Sequence, residues 1–372
     1  MTKRISLPTH VLNLPAYTPI EPFEVLSARI GKTPAQIIKL DANENPYGMS
    51  PRAHQALTEL QYAHIYPDPE NRSLREKISN FTGVPTRNIL AGAGADELID
   101  LIMRVCLEPG EVILNCPPTF GMYQFDGDLN AARVVNIPRQ PDFRLDLPVL
   151  RQAILTHHPK LLFLTSPNNP DGSLIDAQVI SELMEYPILL VLDEAYIEFA
   201  DPENLGSEKS LAKLAAQSEN LIVLRTFSKL AGLAGLRVGY GIFPDWLMPI
   251  LWKAKQPYNV NVAASAAATA ALEDQEYLRK TVTKIVAERQ RLYEALSDIP
   301  DLSAFPSNAN FILCRLTNSN AQWIKQRLAS EHGIFIRYFN KPGLEDCVRV
   351  SVGTPPQNDQ FLQSFDQLLA EK

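Results

Sequence analysis

Residues 188–196 read Ile-Leu-Leu-Val-Leu-Asp-Glu-Ala-Tyr: five apolar residues in a row, then a carboxylate at Asp193. No polar residue alternates with the apolar ones, so both faces of the segment need cover, as for a strand inside a parallel sheet. The texture recurs outward on either side. Leu161–Thr165 runs into Ser166-Pro167-Asn168-Asn169-Pro170-Asp171-Gly172, and Leu221–Leu224 runs into Thr226-Phe227-Ser228-Lys229. Val112–Leu114, Val134–Ile137 and Val238–Phe243 are further short runs rich in branched residues. Helical stretches at 145–157, 173–185 and 207–216 lie between them, and helices over Asn71–Phe81 and Ala95–Leu107 come before. That alternation predicts βαβ units and an open, mostly parallel α/β sheet.

After about residue 246 the pattern changes. Helical segments over 246–255, 260–273 and 275–297 lead to strands Phe311–Arg315, Ile334–Tyr338 and Val348–Val352, with helices at 320–332 and 357–370. The expected division is an N-terminal arm over 1–40 associated with a smaller domain, a large α/β domain over 41–260, and a small α+β domain over 261–372. The arm is rich in proline and lacks strong periodicity.

The 35 basic and 42 acidic residues give a net charge of −7 with no basic block, which argues against a nucleic-acid partner. Anionic ligands therefore need local arginines. No basic helix-turn-helix precedes residue 70, so a DNA-binding regulator on the same scaffold is disfavoured too. The most apolar stretch, Val262–Leu272, is too short to span a bilayer, and the first residues carry no apolar signal core. A soluble, cytoplasmic protein is expected, with no membrane partner. Cys106, Cys116, Cys314 and Cys347 are scattered, without C-x-x-C, and the six histidines form no H-E-x-x-H, which speaks against a metal site.

The unusual polar residues sit in four loops at strand ends or helix starts, the edge where open α/β sheets bind ligands. Gly92-Ala93-Gly94-Ala95-Asp96-Glu97 leaves free N–H groups at a helix start, which suits a phosphate or is an ordinary capped helix. Asp193 at a buried strand tip needs a partner; a cationic ring nitrogen supplies one, and a turn cap is the alternative. Tyr196, three residues on, addresses the same ligand or packs as a core aromatic. Lys229 stands in an apolar, glycine-rich stretch, where lost hydration lowers its pKa and makes the amine nucleophilic, unless it is a surface lysine. Arg237 follows at a strand start, as a phosphate ligand or an exposed ion pair. Together these are the parts a pyridoxal 5′-phosphate site needs.

Asn169-Pro170-x-Gly172, Asp193-x-x-Tyr196, Ser228-Lys229 and Gly235-Leu236-Arg237 resemble the fold-type I pyridoxal-phosphate aminotransferases. More narrowly, Asp41-Ala42-Asn43-Glu44-Asn45-Pro46-Tyr47, Tyr66-Pro67, Gly94-Ala95-Asp96-Glu97, the stretch Cys116–Tyr123 and the stretch Arg349–Thr354 are similar to the histidinol-phosphate aminotransferase family. The resemblance covers essentially the whole chain. It implies the fold-type I transferase architecture and transamination of L-histidinol phosphate with 2-oxoglutarate, giving imidazole-acetol phosphate and L-glutamate in histidine biosynthesis. A lyase resembling L-threonine-O-3-phosphate decarboxylase, or an aromatic or broad-specificity aminotransferase, stays open as an alternative.

The same resemblance assigns roles. Lys229 holds the cofactor covalently and carries the proton between the substrate Cα and the cofactor. Asp193 pairs with the ring nitrogen, Tyr196 and Asn169 bond the ring oxygen, and Phe120 stacks on the ring. Backbone N–H groups of Ala95 and Asp96, with Ser228 and Arg237, take the phosphate, joined by Tyr66 of the partner subunit in a homodimer with a shared site. Arg349, Arg337, Tyr17 and Asn169 bind substrate. Two departures from the family pattern stand out: Asp171 in place of threonine, which is expected to put a negative charge near the site, and Leu230-Ala231 in place of Ala-Phe.

Overall fold

The computed structural model describes residues 5–15 and 21–371. Its strands in chain order are β1 (Ile38–Leu40), β2 (Ile89–Gly92), β3 (Val112–Asn115), β4 (Arg133–Asn136), β5 (Leu161–Thr165), β6 (Leu189–Asp193), β7 (Leu221–Thr226), β8 (Gly239–Ile242), β9 (Leu302–Ala304), β10 (Phe311–Leu316), β11 (Ile334–Tyr338) and β12 (Cys347–Ser351). Seven of them form the large sheet in the order β2-β8-β7-β6-β5-β3-β4. The pairs from β4 through β7 are parallel, whereas β8 runs antiparallel to both β7 and β2.

The unbroken apolar runs have the cause read from the sequence. Successive residues of β5, β6 and β7 alternate between two cores on opposite sheet faces: Leu162, Leu164, Leu190, Leu192, Leu221 and Val223 on one, Leu161, Phe163, Val191, Ile222 and Leu224 on the other. Helices cover both faces, Ala95–Cys106 and Met248–Ala254 packing on the second. A large α/β unit with a mostly parallel sheet stands beside a smaller one, the arrangement that the resemblance implies.

The smaller sheet has the order β1-β11-β12-β10-β9, with only β1 parallel to its neighbour. Its core contains Ile38, Leu40, Ile312, Ile336, Val348, Phe361 and Phe365. The N-terminal segment thus contributes a strand, Ile38–Leu40, paired with Ile334–Ile336. Three residues are too few to show a period, and the pairing partner lies almost 300 residues away.

Other differences have similar causes. The helix expected over 207–216 is confined to Ala212–Ala215. Helices Pro51–Thr58 and Met122–Leu129 and the short strands β2 and β9 carried no periodic signal. The large core also extends past the expected boundary at 260. Ala264, Ala267, Ala268 and Ala271 of the helix Val262–Glu273 are buried in it, because small side chains let that helix sit close to its neighbours. The long helix Gln275–Ser297 then bridges the two cores, with Leu278, Val282 and Ile285 in the large one and Leu292 and Leu296 in the small one.

Candidate active site

Parallel strands bring their carboxyl ends to one edge, so the residues following β2, β3, β5, β6 and β7 converge there. One pocket at this edge is lined by Ala95, Asp96, Phe120, Asn169, Asp193, Tyr196, Ser228, Lys229 and Arg237, together with Ala42, Glu44 and Thr165. It brings together nine of the residues singled out in the sequence.

Asp193 ends β6 opposite Thr165, the last residue of β5. Its side chain is 4% exposed. Oδ2 accepts from the Tyr123 hydroxyl at 2.7 Å and Oδ1 from the Ala195 N–H at 2.9 Å. Burial pushes the carboxyl up to about 6, against the opposing pull of the Tyr123 hydrogen bond. No cation forms an ion pair with it among the described residues, which leaves the carboxylate available to a positive partner.

Lys229 sits on the short helical turn Phe227–Leu230 that follows β7. Its Nζ donates to the Ala42 carbonyl at 2.9 Å and lies 5.9 Å from the centroid of the Tyr196 ring. Burial, with the positive charge of Arg349 adding to it, pulls this amine down to about 8. The Tyr196 hydroxyl accepts from Asn43 Nδ2 at 3.0 Å. Asn43 has a left-handed backbone with φ of 56°. Ser351 and Asn310, from the smaller unit, hold it: Asn43 N donates to Ser351 Oγ at 2.8 Å and Asn310 Nδ2 donates to the Asn43 carbonyl at 2.9 Å. The segment after β1 therefore carries the geometry of the small sheet into the large sheet's site.

The loop after β2 forms an anion cradle. Gly94, with φ of 86°, precedes the helix Ala95–Cys106 and has no side-chain cap, so the N–H groups of Ala95 and Asp96 are left for a ligand. A Cβ on Gly94 would lie 2.6 Å from Arg237 Nη2, and one on Gly239 would lie 2.8 Å from the Ala95 nitrogen. Backbone atoms leave no room at Gly239, and at Gly94 a side chain would displace Arg237 and strain a backbone that favours glycine. Ser228 Oγ accepts from Thr226 Oγ1 at 3.0 Å, which leaves its own proton to donate. Arg237 Nη2 reaches Asp96 Oδ2 at 3.0 Å, both groups about half exposed.

Beyond this pocket a wider cavity continues past Arg337, Phe339, Lys341 and Arg349. Arg337 and Arg349 are directly opposed across β11 and β12. Like charges in that register are destabilising unless something anionic lies between or beside them. Arg349 is buried; it donates to Asn169 Oδ1 at 2.5 Å and to the Asp41 carbonyl at 2.8 Å, and its Nε has no hydrogen-bond partner. Burial and the charge of Arg337 pull its pKa down to about 10. Neither arginine has a carboxylate partner among the described residues. This pair can bind a carboxylate or a phosphate.

Tyr66 lines neither the pocket nor the wider cavity; it is 79% exposed and stacks on Tyr258. Tyr17 lies outside the described residues. Asp171, expected to add charge near the site, is instead buried. It accepts from Asn168 Nδ2 at 2.5 Å and Ser173 N at 3.0 Å, so it ties its own loop together. Sequence reasoning missed Tyr123, Asn43 and the Ala42 carbonyl as supports. Asn43 and Tyr123 do stand inside stretches that carried the family resemblance, but Asn43 follows a strand too short to be read from the sequence and Tyr123 lies in a helix without a periodic signal.

A family model for aminotransferases of class I and II matches residues 35–365. The chain is 51% identical over 355 residues to the chloroplastic histidinol-phosphate aminotransferase of Nicotiana plumbaginifolia, covering 95% of this chain and 84% of that protein. It is 50% identical over 364 residues to the histidinol-phosphate aminotransferase of Roseiflexus castenholzii, covering 95% and 96%. Among solved structures, the histidinol-phosphate aminotransferase of Sinorhizobium meliloti in complex with pyridoxal 5′-phosphate superposes with a TM-score of 0.89 at 29% identity, covering 100% of both chains.

Proposed function

The chain belongs to the class I and II aminotransferases, and from that premise we propose that it transfers the amino group of L-histidinol phosphate to 2-oxoglutarate with pyridoxal 5′-phosphate as cofactor. The observation that carries the reading is the opposed pair Arg337 and Arg349 beside Lys229, without carboxylate partners among the described residues. One substrate presents a phosphate and the other two carboxylates. A guanidinium fork binds either anion in bidentate fashion, so one pair of arginines serves both halves of the reaction. Relatives named histidinol-phosphate aminotransferase, at 50–51% identity along most of the chain, support the choice of substrate.

The residues present fit the cofactor. Glycine at 94 and 239 leaves room for a phosphate on the Ala95 and Asp96 amides, with Ser228 and Arg237 as further donors. Asp193 offers a buried carboxylate to a ring nitrogen, and Asn169, Tyr196 and Phe120 line the same pocket. When bound, pyridoxal 5′-phosphate supplies a carbonyl that takes up the amino group and a ring that takes up electron density from the broken C–H bond. Lys229 Nζ, lowered to about 8, is neutral often enough near pH 7.5 to accept the proton from the substrate Cα and to return one. Asp193 stays ionised opposite a positive ring nitrogen, with Tyr123 and Ala195 fixing its orientation. Arg349, oriented by Asn169 and the Asp41 carbonyl, holds the substrate anion so that the Cα–H faces Lys229.

Tyr66, fully outside its own pocket, is assigned to the cofactor phosphate of a second copy, which makes the enzyme a homodimer with a shared site. A substrate panel tests the reading. Histidinol phosphate with 2-oxoglutarate should give glutamate with a kcat/KM well above that for phenylalanine. Release of CO₂ from O-phosphothreonine without amino transfer would assign the chain to the lyases instead.

A further inference from the structure

The turn 255–259 holds one bulky residue in a strained backbone. Tyr258 has φ of 60°, a conformation costly for a bulky side chain, and its ring is 43% exposed. The buried Lys255 ammonium fixes the turn by donating to the Gln256 carbonyl and to Asn259 Oδ1, both at 2.9 Å. Asn259 Nδ2 in turn donates to the Ala91 carbonyl at 3.1 Å and to Glu97 Oε2 at 2.8 Å. Glu97 Oε2 also accepts from the Ala93 N–H at 2.6 Å, so Asn259 is tied to this chain's own anion cradle.

What the turn presents outward is the Tyr258 ring, stacked on Tyr66 with centroids 4.7 Å apart and an interplanar angle of 25°. Tyr66 is 79% exposed and lies in a segment without helix or strand. Pro67 after it restricts its backbone to extended conformations. An exposed tyrosine with its ring stacked on one face and its backbone restricted, at the expense of backbone strain in its neighbour, is preorganised for a ligand outside its own chain.

We infer that Tyr258 is a positioning residue for Tyr66: its left-handed turn aims the Tyr66 hydroxyl at the phosphate of the cofactor in the partner subunit. The inference rests on the reading in which Tyr66 serves that phosphate. Adjacent residues then support two sites, Asn259 the cradle of its own chain and Tyr258 that of the second copy.

The test is titration of the cofactor-free dimer with pyridoxal 5′-phosphate, with melting temperature and mass measured alongside. Tyr258→Asn removes the stack but tolerates a left-handed backbone, so the variant should fold with equal or higher stability. Its cofactor dissociation constant should rise about two- to tenfold, the range for a lost aromatic pair. Tyr258→Phe should bind as the wild type does. In a Tyr66→Phe background, Tyr258→Asn should add nothing. Weakened binding in Tyr66→Phe with unchanged binding in Tyr258→Asn overturns the inference alone. Additive losses in the double variant overturn it as well, because Tyr258 would then act independently of the Tyr66 hydroxyl. Unchanged binding in Tyr66→Phe overturns the underlying reading.

Discussion

Replacing Asp193 with asparagine should stabilise the cofactor-free protein while abolishing its activity. The carboxyl is held at about 6 in the fold, where burial outweighs the hydrogen bonds from Tyr123 and Ala195, against 3.8 in an unfolded chain. Below about pH 3 the group is neutral in both states and costs nothing. As pH rises through 4 to 6 the unfolded chain ionises first, and the folded state loses stability, by about 3 kcal/mol above pH 7. Asparagine imitates the neutral carboxyl. Its Oδ1 can keep the Ala195 N–H, and its amide can donate to the Tyr123 oxygen while that hydroxyl turns to Thr165, 2.8 Å away. For a chain of 372 residues the gain corresponds to a melting temperature higher by about 4 °C at pH 8, shrinking towards zero as pH falls to 4. In the loaded enzyme the sign reverses. A carboxylate against a ring cation at hydrogen-bond distance is worth about 5 kcal/mol at an effective dielectric of 20, so turnover should drop at least a hundredfold. Thermal scans of both cofactor-free proteins from pH 4.5 to 8 check the first half and steady-state rates the second. A variant less stable than wild type at pH 8, or one with near-normal turnover, would refute the assignment of Asp193 as a buried charge kept for the cofactor.

Lys229 should combine with added pyridoxal 5′-phosphate, in the cofactor-free protein, at a rate that rises with pH around a midpoint near 8, because burial and Arg349 favour the neutral amine; a midpoint at 10 or above would contradict the site's geometry. Gly94→Ala places a Cβ 2.6 Å from Arg237 Nη2 at a φ of 86°, so it should raise the cofactor dissociation constant at least tenfold in a fluorescence titration. Arg225→Met strands the buried carboxylates of Glu194 and Glu198, the latter 3.1 Å from Arg225. The expected loss is about 3–5 kcal/mol, or about 4–6 °C in melting temperature by calorimetry.

The readable part of the site lies on strand ends. Asp193 closes an apolar run, Lys229 and Asn169 stand a few residues past the ends of two others, and one sheet edge collects them wherever the remaining chain goes. What could not be read depends on contacts between distant segments. Ile38–Leu40 is a strand only because Ile334–Ile336 lies beside it. Tyr123 supports Asp193 from 70 residues away, on a short helix whose sequence carries no periodic signal. Asp171 differs in another way: its sequence position is next to the site, but the Asn168 amide and the Ser173 N–H turn it inward. A residue's place along the chain gives proximity, whereas its direction is set by which hydrogen bonds the fold leaves to be made.

How a chain of net charge −7 binds anions follows from what its site cations are bonded to. Lys229 donates to a carbonyl, that of Ala42, and Arg349 to a carbonyl and an amide oxygen. Such acceptors orient a cation without neutralising it. Two carboxylates do lie close by, on Asp41 and Glu44, and Lys39, with a side chain only 7% exposed, takes both, at 3.0 and 2.9 Å. Asp41 is thereby left to face Arg349 through its backbone oxygen. Arg225, which has no part in ligand binding, has buried carboxylates for neighbours instead. Arg237 is the exception at the site, paired with Asp96 where water reaches both groups. There the attraction is weak enough for a doubly charged phosphate to compete for the arginine. Cations meant for a ligand keep their charge by having dipoles as partners, and the small sheet's Lys39 takes up the carboxylates that would otherwise cancel it.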